Sequence, residues 1–312
     1  RRWGSPPALW PGGGGGDGRL GLSRHRPTLR RGAGLPGLGR AAVVVLPGPA
    51  CRGASGARGP TGRRGPKPAL SDADLLAAIR ADLARSPWSG EGHRKVWARL
   101  RVARKRVLRL MRKNALLSPH RARPRPAEAH DRSIITHAPN VMWAIDGTQV
   151  ATVRDGKVWL FATVEHWNAE ALGWHVSKRG TRHEALQAMG MAVRQQFGHL
   201  GRDAARGVQL RHDHGSCFMA EDFQTQIRAW GMAPSYAFVG RPQTNGVVER
   251  FFRTLKEQIV HGCIFESIEE LREAVRAFIA RYNAEWLIEK NGYLSPQARR
   301  RQNELATVTM AA

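Results

Sequence analysis

A chain of 312 residues is long enough for a catalytic domain and a smaller accessory one, at roughly 100–200 residues per domain. Its 50 Lys and Arg against 25 Asp and Glu leave a formal net charge of +25, an excess that favours a polyanionic partner, nucleic acid first among them. No apolar run approaches the ~18 residues that span a bilayer, and Cys51, Cys217 and Cys263 form no CxxC pair, which speaks against a membrane anchor, a disulfide framework and a zinc site and fits a reducing cytoplasm.

Residues 1–68 contain 18 of the 34 glycines, with many prolines and arginines and no sustained period. They cannot bury enough apolar surface to order, so a disordered segment is expected, either a basic arm on DNA or, since no Met opens the chain, translation from upstream or out of frame. Residues 1–70 hold 13 basic side chains against one acidic and residues 71–130 hold 15 against five, which leaves residues 131–312 at only +3. The charge that could grip phosphates is thus set apart from the segment that could hold a carboxylate site.

From Ser71 the texture changes. Ser71 can cap a helix carrying Leu75, Leu76, Ile79 and Leu83 and ended by Ser86-Pro87. A second helix is expected over about 93–100 and a third over about 103–115, where Val107, Leu108, Leu110 and Met111 form an apolar face and Arg104, Lys105, Arg106, Arg109, Arg112 and Lys113 the rest. Residues 70–117 therefore read as a helix-turn-helix module, with Arg104, Lys105 and Arg109 as DNA contacts. A solvated helix face is the bland alternative, but six cations with no acidic neighbour exceed ordinary solubilisation. Pro119, Pro124 and Pro126 among arginines make residues 118–135 an extended linker.

A catalytic core is expected over 136–305. Its order is strand (141–150), turn at Asp155-Gly156, strands (158–166 and 171–176), helix (183–197), strand (208–212), helix (219–230), short strand (235–237) and helices (247–261 and 268–284). Three strands on short turns followed by alternating helices and strands describe an α/β mixed sheet with helices on both faces, the order of a ribonuclease-H-like domain.

Three acids stand out. Asp146 follows Val141-Met-Trp-Ala-Ile145, an apolar run that says central strand, where a carboxylate is costly unless it is paired or binds a metal. Asp213 follows Val208-Gln-Leu-Arg-His212, at a strand's carboxyl end, where open α/β sheets bind ligands; a plain turn is the alternative. Glu249 lies on a helix buried by Val248, Phe251, Phe252, Leu255 and Ile259, and shares a face with Arg253 and Lys256, so alone it would pass for a surface ion pair worth ~0.3–0.5 kcal/mol. Together the acids are separated by 66 and 35 intervening residues and sit on a strand, a strand end and a helix, which is far more specific than any one of them.

The segments Trp143-Ala-Ile-Asp-Gly-Thr148, Asp213-His-Gly-Ser216, Gly240-Arg-Pro-Gln-Thr-Asn-Gly-Val-Val-Glu-Arg-Phe-Phe-Arg-Thr-Leu-Lys256, Tyr282-Asn283 and Tyr293-Leu-Ser-Pro296 resemble the bacterial insertion-sequence transposases with a DDE, D(35)E, integrase-like core. The similarity is in particular to the OrfB proteins of insertion-sequence family three, whose core retroviral integrases share. Gly92–Trp97 and Arg104–Arg112 are similar to the helix-turn-helix segment preceding that core.

The resemblance implies a polynucleotidyl transferase in which Asp146, Asp213 and Glu249 bind two Mg²⁺ ions, with Mn²⁺ able to substitute, Asp146 bridging the pair. It implies that Lys256 and Arg253 hold terminal DNA phosphates, that Asn245, Thr244 and Gly246 shape the loop approaching DNA, and that His212 and His214 only orient or solvate Asp213. It also implies DNA (element ends and target) as partner, a homo-oligomer on that DNA, and a bacterial, nucleoid-associated location. An inactive DNA-binding remnant and a ribonuclease-H-type nuclease are the competing readings.

Overall fold

The computed structural model describes residues 69–119, 134–236 and 245–311. The basic segment 1–68, residues 120–133 of the expected linker, and the loop residues Gly240–Thr244 lie outside the described residues. Residues Pro66–Ala312 form one unit by their contacts.

Three helices come first: α1 (Asp72–Arg85), α2 (His93–Leu100) and α3 (Arg104–Lys113). The Ser71 hydroxyl accepts from the Asp74 backbone N–H at 3.1 Å, and Asp72 and Asp74 in the first turn favour the helix dipole. Helical spacing then brings Leu75, Ile79, Val96, Val107, Leu110 and Met111 into one small core. The turn into α3 is made by Arg101 in the left-handed region, φ 55°, which sets the two helices at a tight corner.

The sheet contains β1 (Met142–Thr152), β2 (Gly156–Glu165), β3 (Ala171–Ser177), β4 (Gln209–His212) and β5 (Ala233–Tyr236) in the order β3-β2-β1-β4-β5. β1 pairs antiparallel with β2, and β2 with β3, while β4 lies parallel to β1 and β5 parallel to β4. This is the ribonuclease-H-like mixed sheet, with β1 at its centre.

Alternation along the strands divides the core between the two faces. Ala144, Val150, Leu160, Ala162 and Val164 face α7 (Gly246–Leu255) and α8 (Ile268–Glu285). Trp143, Ile145, Phe161 and Leu172 face α4 (Arg182–Phe197) and α6 (Glu221–Ala229). β3 and α4 approach so closely that a Cβ on Gly173 would stand 2.2 Å from the Ala188 carbonyl oxygen, so only glycine fits there.

Three elements differ from the sequence expectation. The helix expected over 219–230 is α6, which starts only at Glu221 because Ala220 is extended at φ −61°, ψ 140°, and a short helix that was not expected, α5 (Ser216–Met219), precedes it. The helix expected to reach 261 stops at Leu255 and continues as one π-helical turn, Lys256–Val260. A further helix, α9 (Pro296–Ala311), closes the described chain. It is pinned by Arg300, which donates to Glu170 at 2.5 Å and lies 3.7 Å from the buried Glu165. No helix among the described residues is long and apolar enough to cross a membrane.

Candidate active site

Asp146 sits mid-way along β1, opposite Ala162 of β2. Its neighbours Ile145 and Ala144 fill the two core faces, so the central strand holds the carboxylate rigidly at the sheet surface. One carboxylate oxygen accepts from the Gly147 N–H at 2.7 Å. Glycine is required beside it, since a Cβ at 147 would come within 2.7 Å of the Phe161 ring.

β4 delivers the second acid. Its parallel register pairs Met142 with Gln209 and Ala144 with Arg211, so two residues further along both chains Asp213 arrives beside Asp146. There Asp213 caps a short turn, accepting from the Gly215 N–H at 2.8 Å, and is exposed. The third acid, Glu249, is set by α7: Val248, Phe251, Phe252 and Leu255 are buried under the helix, which turns Glu249 outward.

Asp146, Gly147, Thr148, Glu249, Phe252, Arg253, Lys256 and His261 line one open cleft of about 350 Å³. Asp213 lies beside this cleft rather than in its wall. Burial pushes the Asp146 carboxyl up to about 6; the Gly147 N–H opposes this, the negative charges of Asp213 and Glu249 add to it, and Lys256 partly offsets it. Burial likewise raises Glu249, with Arg253 pulling the other way.

Asp146 thus stands half-buried beside the like charges of Asp213 and Glu249, opposed by Lys256, an arrangement that a further positive charge would favour. Hard carboxylate oxygens are the donors that Mg²⁺ prefers, so the residues suit such an ion in kind. The three do not close into a ligand cluster: among the described residues no group of three or more His, Cys, Asp or Glu is arranged to hold a metal.

Other expected site residues are placed as follows. Arg253 and Lys256 are brought to the cleft. Asn245 is buried at the start of α7, with its amide nitrogen 3.5 Å from the carbonyl oxygen of Ile145 in the strand of Asp146. His212 is buried among Phe218, Phe223 and Tyr236 and bonds the Asp213 backbone carbonyl at 2.7 Å, not its carboxylate, and burial lowers its pKa. It supports the strand end, while His214 stacks on Tyr236.

On α3, Arg104, Lys105 and Arg109 are exposed, but the cations are not without an acidic neighbour. Asp72 of α1 accepts from Arg106 at 2.7 Å and from Arg109 at 2.5 Å, and Arg104 lies 5.9 Å from the Trp97 ring centre. Lys105, Arg112 and Lys113 remain as exposed positive groups on the same helix. Sequence reasoning assigned no role to Thr148 and passed over His261. The latter has no helical spacing from Glu249 that would reveal it, because the π turn between them shifts the phase.

Family models described as "Integrase core domain" match residues 136–242 and 230–296. The chain is similar to the Escherichia coli transposase InsD of insertion element IS2A/D/F/H/I/K, 29% identical over 201 residues, covering 61% of this chain and 65% of that protein. InsD of element IS2-9 from strain K12 matches at 29% identity, with 61% and 64% covered. The match thus spans a little under two thirds of these relatives' length. Among solved structures, a simian T-cell lymphotropic virus intasome in complex with PP2A regulatory subunit B56 gamma aligns with TM-score 0.40 at 17% identity, covering 70% of each chain. The HTLV-2 integrase catalytic core domain in complex with magnesium aligns with TM-score 0.39 at 18% identity, covering 54% of this chain and 99% of that one.

Proposed function

We propose, from the premise that the chain belongs to the integrase-core family of DDE transposases through residues 136–296, that it cleaves the DNA ends of an insertion sequence and joins them to a target. The observation that carries this reading is Asp146, half-buried mid-sheet with its pKa raised to about 6 beside the like charges of Asp213 and Glu249. Asp146, Asp213 and Glu249 would hold Mg²⁺, two ions in the full site or Mn²⁺ in their place, which would compensate charge at the attacked phosphate and activate the nucleophile.

The remaining steps belong to the chain itself. Lys256 and Arg253 present positive charge on the cleft wall next to Glu249, where they would bind the terminal phosphates and align the scissile bond. Water attacks the phosphorus at the element end, its proton is lost to solvent, and the bond to the 3′-oxygen breaks. The freed 3′-OH then attacks a target phosphodiester and expels that strand's 3′-oxygen, so one phosphodiester replaces another. Residues 70–117 would bind the element end through Arg104, Lys105 and Arg109, with 118–135 as connection and 136–305 as catalytic core. Paired ends would be handled by a homo-oligomer, on DNA in the bacterial cytoplasm.

The test is strand transfer with a labelled duplex carrying the element's end, with Mg²⁺, with Mn²⁺ and with EDTA. Nicked and joined products are expected with either metal and none with EDTA. Hydrolysis of an RNA–DNA hybrid without joining would select a nuclease instead, and end binding without any cutting an inactive remnant.

A further inference from the structure

The helices α1–α3 meet the catalytic core along a seam formed with α8, the chain that follows it and the turn after Glu249's helix. Trp88, in the α1–α2 loop, is buried edge-on against Phe278 and Trp286, with ring centres 6.1 and 4.9 Å away. On α2, Lys95 lies over the Trp286 ring with Glu91 3.5 Å from its nitrogen, and Trp97 packs edge-on to Tyr293 at 5.4 Å. At the centre of the seam the Ser89 N–H donates to the Gln258 side-chain oxygen at 3.0 Å, and the Gln258 amide donates back to the Ser89 carbonyl at 3.0 Å.

Gln258 lies in the π turn Lys256–Val260. That turn therefore does two things. Lys256 at its start lines the cleft with Glu249, and Gln258 grips the loop between the first two helices. π turns are rare and concentrate at functional sites, and a two-way amide pair on a backbone fixes orientation as well as distance.

We infer that the Ser89–Gln258 pair and Trp88 act as a ruler: the pair ties the helical unit to the turn that follows Glu249's helix, Trp88 ties it to α8, and together they set which phosphodiester of a bound DNA end enters the cleft. This rests on the proposed function, with the exposed cations of α3 holding the duplex. Phosphates along one strand repeat about every 3.4 Å, so a seam that slips by that much presents the neighbouring bond. A smaller slip leaves the same bond misaligned, and a misplacement of about 1 Å costs on the order of 100-fold in rate. Gln258 and Trp88 are positioning residues, since neither lines the cleft.

The experiment uses the full chain and an end-labelled duplex, reading affinity by gel shift and the cut position on a sequencing gel. Gln258→Glu keeps an acceptor for the Ser89 N–H but sets an oxygen against the Ser89 carbonyl; it is half-buried and removes no core volume. Trp88→Ala empties the seam, and Trp88→Phe restores an aromatic edge. Gln258→Glu and Trp88→Ala should bind the end as wild type does, cut the wild-type bond about 100-fold more slowly, and yield products one nucleotide to either side, while Trp88→Phe keeps a single cut. Should Trp88→Ala fail to fold, Gln258→Glu decides alone. Single-position cutting at the wild-type rate by a folded Gln258→Glu variant overturns the ruler and leaves the transposase reading intact; a wild type that binds ends and cuts nowhere removes both.

Discussion

In the helical unit of residues 72–113, Asp72, Asp82 and Glu91 each meet an arginine, whereas in the cleft Asp146 stands beside the like charges of Asp213 and Glu249. Hydrogen bonds from Arg109 and Arg106 hold Asp72 below the usual carboxylate range. Burial alone would push Glu91 up, but the hydrogen bonds of Arg99 and Ser86 outweigh it and hold it low. Asp146 and Glu249 move the other way, because burial is met by too little positive charge. The same residue type therefore closes structural ion pairs in one region and stands among like charges in the other.

The sharpest way to break this contrast is to neutralise one acid on the cleft side. Asp146→Asn should lower end cleavage by about 10³-fold or more, the worth of several kcal/mol of charge compensation at the phosphate, while its melting temperature in EDTA does not fall. The sign follows from the raised pKa: protonated Asp146 favours the folded state at low pH, and that contribution is lost as pH rises through about 6. Asparagine has no such loss. A variant that melts well below wild type would mean that Asp146 is a structural ion-pair member after all.

On the helical side the converse holds. Arg99→Ala leaves Asp82 and Glu91, whose side chains are 8% and 1% exposed, without their main partner. Urea unfolding should show a loss of about 3 kcal/mol, with cleft chemistry affected only through folding. An unchanged midpoint would show that the Arg99 network is ornamental.

A cation in the cleft should behave as substrate-binding rather than structural. Lys256→Ala should reduce cleavage by about 10–100-fold, the scale of one charge-assisted hydrogen bond, mostly in KM for DNA and with a shallower salt dependence. A full-strength KM would place the terminal phosphates elsewhere. The smallest effect is in pH. Below about 6 a proton competes for Asp146, so the Mg²⁺ concentration giving half-maximal cutting should rise by about tenfold per pH unit. A flat Mg²⁺ requirement from pH 5 to 8 would separate Asp146 from the metal.

The three acids were legible in sequence because a carboxylate inside an apolar strand run violates the burial rule, and because the strand–strand end–helix pattern is hard to produce by accident. What brings Asp213 beside Asp146 is the parallel register of β4 on β1, a long-range pairing that no local signal encodes. The apolar series Val248, Phe251, Phe252, Leu255, Ile259 continues at helical spacing, so the π turn and with it His261 and the Gln258 seam were invisible. The neutralising role of Asp72 was hidden for the same reason, since it reaches Arg106 and Arg109 from the far end of the helical unit. Helix α9 was missed because most of its surface is exposed and it shows no clear apolar face, its hold on the core being Arg300 with Glu170 and Glu165.

Asp213 is the acid whose place in the site most needs a test, for it stands beside the cleft rather than in its wall and is exposed. The decisive measurement is the joining of a pre-nicked, labelled element end to target DNA in Mg²⁺ by wild type and by Asp213→Asn at equal DNA occupancy. Joining by wild type and none detectable by the variant is the expected result; equal joining by both would remove Asp213 from the chemistry and with it the three-carboxylate site.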